Sequence, residues 1–177
     1  GTIFPYMSLK LVTPATIEPV TLPEVKEWAR IDTNDEDSLI SGLISSARSL
    51  SETFTRRSFI NTTWRYSLDC FPNQQFNVLP QTPLSSVTTL KYYDSNGTLQ
   101  TLSSSLYTVD IESEPGRIIL NPNEVWPSVQ NNKYSSVVID YISGYGAAAS
   151  SVPNDIKTAI KMLAAHWYNN REAYIES

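Results

Sequence analysis

The sequence predicts an α+β fold in which a helical layer, built from an N-terminal helix pair and a C-terminal helix, encloses an inserted antiparallel β region. Three observations carry that expectation. Apolar residues recur at three- and four-residue spacings over residues 35–55. From about residue 62 to residue 143 the pattern changes to period two and is punctuated by turn residues. After residue 151 the helical period returns.

The first helix is expected over residues 22–30. Thr21 and Glu24 form a capping box, Pro23 is tolerated in the first turn, and Leu22, Val25, Trp28 and Ala29 share a face. The following stretch, RIDTNDEDSLI, places Asp32, Asp35, Glu36 and Asp37 close together. A calcium loop is excluded by Asp37 at the position that needs Gly and by Leu43 at the position that needs a bidentate acid. The acids instead suit a helix start, with Thr33 or Asn34 as cap and Asp35, Glu36 and Asp37 in the first turn, against the positive end of the helix dipole. The second helix, residues 35–55, carries Leu39, Ile40, Leu43, Ile44, Ala47, Leu50 and Phe54 on its predicted apolar face. Arg56 and Arg57 follow where cations favour the negative end.

In WRYSLDC, the residues Trp64, Tyr66, Leu68 and Cys70 alternate with polar ones, which predicts a half-buried strand and a buried Cys70. VTTLKYYDSNGTLQTL reads as a hairpin, with Asn96-Gly97 supplying positive φ angles. Further strands are expected at residues 107–111, 117–120 and 136–142, with Pro72, Pro80, Pro83, Pro115, Pro122 and Pro127 between the runs. The connector GYGAAASSVP is expected to be mobile and exposed. The last helix is expected over residues 151–175, with Ser151 as cap, Pro153 at its start, and Ile156, Ala159, Ile160, Leu163 and Trp167 as its apolar stripe. That stripe requires a partner, and the second helix offers one.

A length of 177 residues predicts a single domain over 1–177, subdivided into N-terminal helices (21–58), a β insertion (62–146) and a C-terminal helix (151–175). With 41% hydrophobic and 18% charged residues, the composition is globular and not that of a disordered chain. No apolar run approaches the roughly 20 residues of a bilayer span, and no membrane association is expected. Met7 is the expected natural start, so GTIFPY is set aside, and no secretory signal is read at the beginning of the chain. The single cysteine excludes an internal disulfide. A net charge of −5 argues against a protein whose main affinity comes from neutralising phosphates.

Most catalytic patterns are missing. The one histidine, His166, stands alone on the last helix, and there is no nucleophile elbow, zinc-protease motif or phosphate loop. Gly144, Gly146 and Ala149 match a dinucleotide turn, but the region where a ribose-binding acid should follow is helical. No enzyme, metal or cofactor is therefore expected. A carboxylate-dependent hydrolase, or a carbohydrate- or peptide-binding module, remains as an alternative, because carboxylate pairs leave no fixed spacing. The candidate partner-binding residues are Arg56 and Arg57, which also suit a helix end, and Trp167, Tyr168, Arg171 and Tyr174, whose residue types dominate interface energies.

The order of segments carries a family resemblance. IEPVTLPEVKEWARID, DEDSLISGLISSARSLSETFTRRS, TWRYSLDCFP, LPQTPLSSVTTLKYYDSNG and SGYG…VPNDIKTAIKMLAAHWYNNREA together resemble the head-tail connector (adaptor) proteins of tailed bacteriophages. The closer likeness is to the variant with a β insertion, also met in prophages and gene-transfer particles; only the loop 121–136 finds no counterpart. The resemblance implies a homo-oligomeric ring, commonly of twelve subunits, beneath the portal protein. The ring would join the portal to the next neck or tail-completion protein and let DNA pass without retaining it. It further implies a location in the virion neck, assembly in the bacterial host cytoplasm, and a portal-facing C-terminal helix.

Overall fold

The computed structural model describes residues 7–171. Eight strands and three α-helices follow in the order β1 (Met7–Thr13), α1 (Leu22–Ala29), α2 (Asp37–Thr55), β2 (Thr62–Leu68), β3 (Phe76–Val78), β4 (Leu84–Tyr93), β5 (Leu99–Thr101), β6 (Tyr107–Asp110), β7 (Arg117–Leu120), β8 (Val137–Ser143) and α3 (Asn154–Asn170). The fold is α+β. By contacts the chain forms two compact units, each with its own apolar core.

Among the described residues the β unit comprises 7–14 and 61–144. Its five-stranded antiparallel sheet has the order β1-β2-β8-β4-β5, and a three-stranded sheet has the order β3-β7-β6. Alternation decides what lies inside. Tyr66 and Leu68 of β2, Val137, Ile139 and Tyr141 of β8, and Leu90 of β4 enter one core with Leu79 and Ile118. On the opposite face Arg65 and Asp140, cross-strand neighbours, form a two-pronged ion pair at 2.8 and 2.9 Å. The Tyr141 hydroxyl accepts the Gln81 N–H at 3.1 Å, and burial pushes its pKa upward.

Some local expectations need correction here. Cys70 is exposed, because β2 ends at Leu68 before its alternation reaches the cysteine. In the hairpin turn only Gly97 has a positive φ, of 80°; Asp94 organises the rest by accepting the N–H groups of Asn96 and Thr98. The loop after β7 is anchored by Trp126, which stacks on Phe71 with centroids 4.9 Å apart and donates its indole N–H to the Gln74 carbonyl. β1 and β3 fall outside the expected strands.

Among the described residues the helical unit comprises 15–60 and 145–171. The capping box of α1 is present as read, with Thr21 and Glu24 reciprocally bonded. Its core joins Val25, Ile40, Ile44 and Ala47 to Ile160 and Ala164 of α3. α2 and α3 thus bury their apolar stripes against each other, as 3.6-residue periodicity requires, although the N-terminal strand β1 lies in the other unit.

The margins of those stripes differ from the reading. Trp28 is 48% exposed, with the Lys161 ammonium 5.2 Å from its ring centroid. Leu39 and Leu50 are exposed because they lie about 80–100° around the helix from the Ile40/Ile44/Ala47 line. Phe54 is on the right side but in the last turn, beyond the covered length, and is 88% exposed. α2 begins at Asp37 with Glu36 as N-cap and no side-chain cap, so neither Thr33 nor Asn34 serves. α3 begins at Asn154, after a 3-10 turn that takes in Ser151; its expected extension to 175 passes outside the described residues.

The connector is pinned, contrary to its expected mobility. Tyr145 N–H bonds the Phe59 carbonyl at 3.0 Å, Ile60 and Gly146 form a bridge, and Val152 is buried. A Cβ on Gly146 would meet the Ser151 Oγ at 2.4 Å. Gly144, at φ +144°, lies so close to Asn61 that a Cβ would come within 2.6 Å of its backbone nitrogen. Close packing therefore explains both glycines of the G-x-G-x-x-A run without a nucleotide.

Candidate interaction surface

The acidic stretch starts α2, and it also receives both other helices. The Lys26 ammonium of α1 donates to Asn34 Oδ1 at 2.7 Å and to Asp37 Oδ1 at 2.8 Å. Glu36 accepts the Tyr168 hydroxyl on one oxygen and the Arg171 Nη2 at 2.7 Å on the other. The Arg171 guanidinium also sits 4.9 Å from the centroid of the Tyr168 ring. Hydrogen bonds from Tyr168 and then Arg171 hold the Glu36 carboxyl below its ordinary pKa, and the same bond raises the Tyr168 hydroxyl. The three side chains form a latch that ties the last turn of α3 to the first turn of α2.

The residues singled out along α3 are thus placed differently from one another. Trp167 packs, partly buried, against the helical core. Tyr168 and Arg171 belong to the latch, and Tyr174 lies outside the described residues. Glu36 is the residue that sequence reasoning passed over, since its charge looked sufficient for a helix start.

The arginine pair closes α2. Arg56 adopts the left-handed conformation at φ 55° as C-cap, and its N–H reaches the Glu52 carbonyl. Arg57 donates Nη1 to the Tyr145 hydroxyl at 2.9 Å. Beside it opens a groove of about 580 Å³, walled by Leu50, Phe54, Phe59, Ile156 and Leu163. Nearby, Arg48 bridges Glu18 and Glu52 at 2.9 and 3.0 Å, which raises its pKa further.

Among the described residues no three His, Cys, Asp or Glu side chains are grouped to hold a metal ion, and no helix is long and apolar enough to cross a membrane. His166 is exposed, and the amide of Asn170, one turn on, donates to its backbone carbonyl at 2.8 Å. The features these side chains supply are apolar contact, cation–π pairing and charge.

Comparison with known proteins gives the following. A family model described as head completion protein matches residues 18–175. Among curated proteins nothing matches. Of the solved structures, a chain of "Neck of empty GTA particle computed with C6 symmetry" is 23% identical with a TM-score of 0.79, over 92% of this chain and 84% of that one. A chain of "Virion of native gene transfer agent (GTA) particle" is 23% identical, TM-score 0.76, over 91% and 84%. A chain of "Neck of native GTA particle computed with C12 symmetry" is 22% identical, TM-score 0.72, over 92% and 83%. These three share the fold.

Proposed function

Because the chain belongs to the head completion protein family, we propose that it is a structural head-tail adaptor of a tailed phage or phage-like particle, acting by assembly and not by turnover. The observation that carries this reading is the family match over residues 18–175. The likeness to chains from particle necks, two of them computed with C6 and C12 symmetry, supports a ring of copies. In this reading the ring, of twelve subunits, sits in the virion neck under the portal protein, engages the next neck or tail-completion protein on its other side, and lets DNA through.

A cyclic ring repeats one head-to-tail contact, which closes only if the rotation per subunit fits. The portal is the template that sets that rotation, and the isolated chain is largely monomeric or forms rings weakly. Mass measurements over a concentration series check this; a stable dimer at every dilution would contradict it.

The portal-facing element is the end of α3 and the residues after it. The Glu36 latch holds the described end of α3, and the groove beside the Arg56–Arg57 helix end is the candidate for a second protein contact. Replacing Tyr174 by Ala, which keeps the Tyr168–Glu36–Arg171 latch, should leave the fold intact and reduce attachment to the portal, scored by co-purification of neck complexes. Undiminished attachment would count against the assignment.

A further inference from the structure

β1 ends the five-stranded sheet. It pairs with β2 along one side, and among the described residues no strand lines its outer rim. All seven residues of Met7–Thr13 are exposed. A free strand edge is ordinarily protected by shortness, proline, a bulge or several charges. This one is long, lacks proline between residues 7 and 13, and carries a single charge, Lys10; its one irregularity falls at its end, between Leu11 and Thr13.

The side chains are sorted as well. Met7, Leu9 and Leu11 stand opposite Leu68, Tyr66 and Trp64 of β2. Leu68 and Tyr66 are buried members of the β-unit core, and Trp64 packs against it. Cross-strand partners point to the same face, so Met7, Leu9 and Leu11 form an uncovered margin of that core. The Tyr66 hydroxyl donates to the Met7 sulfur at 3.0 Å, which fixes the margin's first residue. Ser8, Lys10 and Val12 take the other face.

A helix laid on this margin would cover the three apolar side chains but leave the rim's N–H and C=O groups without ladder partners. An extended strand satisfies both. We propose that β1 accepts an added strand: an extended segment of a neighbouring copy of this chain pairs along its outer rim and covers Met7, Leu9 and Leu11. The inference rests on the ring reading above. In a ring of identical subunits an edge open on one copy is open on all, and the adjacent copy is the occupant present in equal number at every position. The added strand presents apolar residues at alternate positions toward the core face and a neutral or acidic residue toward Lys10.

Hydrogen exchange on the full chain, followed by mass spectrometry from dilute to concentrated solution with light scattering in parallel, tests this. In the monomer about half of the amides in residues 7–13 point outward and exchange fast; in the oligomer they should slow at least about tenfold. Oligomers that form with no added protection in this segment overturn the inference and leave the ring reading standing. A second arm uses particles: Leu9→Lys with Leu11→Lys should retain the near-UV circular dichroism of the wild type yet fall at least about tenfold in neck incorporation. Leu9→Ile with Leu11→Val should incorporate normally. Normal incorporation of the lysine variant refutes the added strand. Absence of the wild-type chain from necks refutes the ring reading, and the inference with it.

Discussion

Ile160 is fully buried where α3 meets α2, and Met162, two residues along the same helix, is 55% exposed. Ile160→Ala removes roughly three methylene equivalents, about 2.4 kcal/mol at ~0.8 kcal/mol each. If about 60 Å³ of the space stays unfilled, the cavity adds ~1.4 kcal/mol at ~24 cal/mol per Å³. The sum, about 4 kcal/mol, lies inside the usual range for such a truncation. Met162→Ala, on the solvent side, should change stability by less than ~0.5 kcal/mol. Urea unfolding followed by helical circular dichroism, with the same slope for each variant, measures both. A loss under ~1 kcal/mol for Ile160→Ala, or equal losses for the two variants, would refute the pairing of the chain ends through this face.

Gly144→Ala should cost more than ~2 kcal/mol, since a Cβ would lie 2.6 Å from the Asn61 nitrogen at a φ of +144°; a wild-type melting temperature would contradict the close approach. The Glu36 latch makes a signed pH prediction. The carboxyl's pKa is lowered on folding, so its contribution is full above the ordinary carboxylate range and is lost as pH falls through the lower folded-state value. The melting-temperature gap between wild type and Glu36→Gln should therefore be widest near neutrality and close in acid; a gap that widened on acidification would have the wrong sign. Trp126→Ala should free the loop it anchors, seen as faster exchange of residues 121–136, because it removes both the Phe71 stack and the bond to Gln74.

Much of the helical unit was legible because its signals are local. The Thr21/Glu24 box is read from four residues, and Ile40, Ile44 and Ile160 follow from period and spacing, whereas on the last helix Ala159, expected in the stripe, is exposed and Ala164, outside it, is buried. Strands with clear alternation were legible too: β7 coincides with the expected 117–120, and β8 lies one residue beyond 136–142. What failed was what depends on distant neighbours. Periodicity places Phe54 and Trp28 on a face but does not tell where the partner helix stops. β3 has three residues, too few for a pattern. β1 does alternate, but it becomes a strand through β2, whose paired residues lie 50 or more positions away, and no turn signal joins the two. The Glu36 latch closes 132 and 135 residues apart in sequence, so nothing near either end announces it.

Electron cryomicroscopy of particles carrying a tagged copy of this chain tests the account most directly. It predicts the tag's density as a closed ring of equivalent copies in the neck, between the capsid vertex and the tail. Density in the capsid shell or the distal tail, or a tagged chain present as an isolated copy and not as a ring, would contradict it.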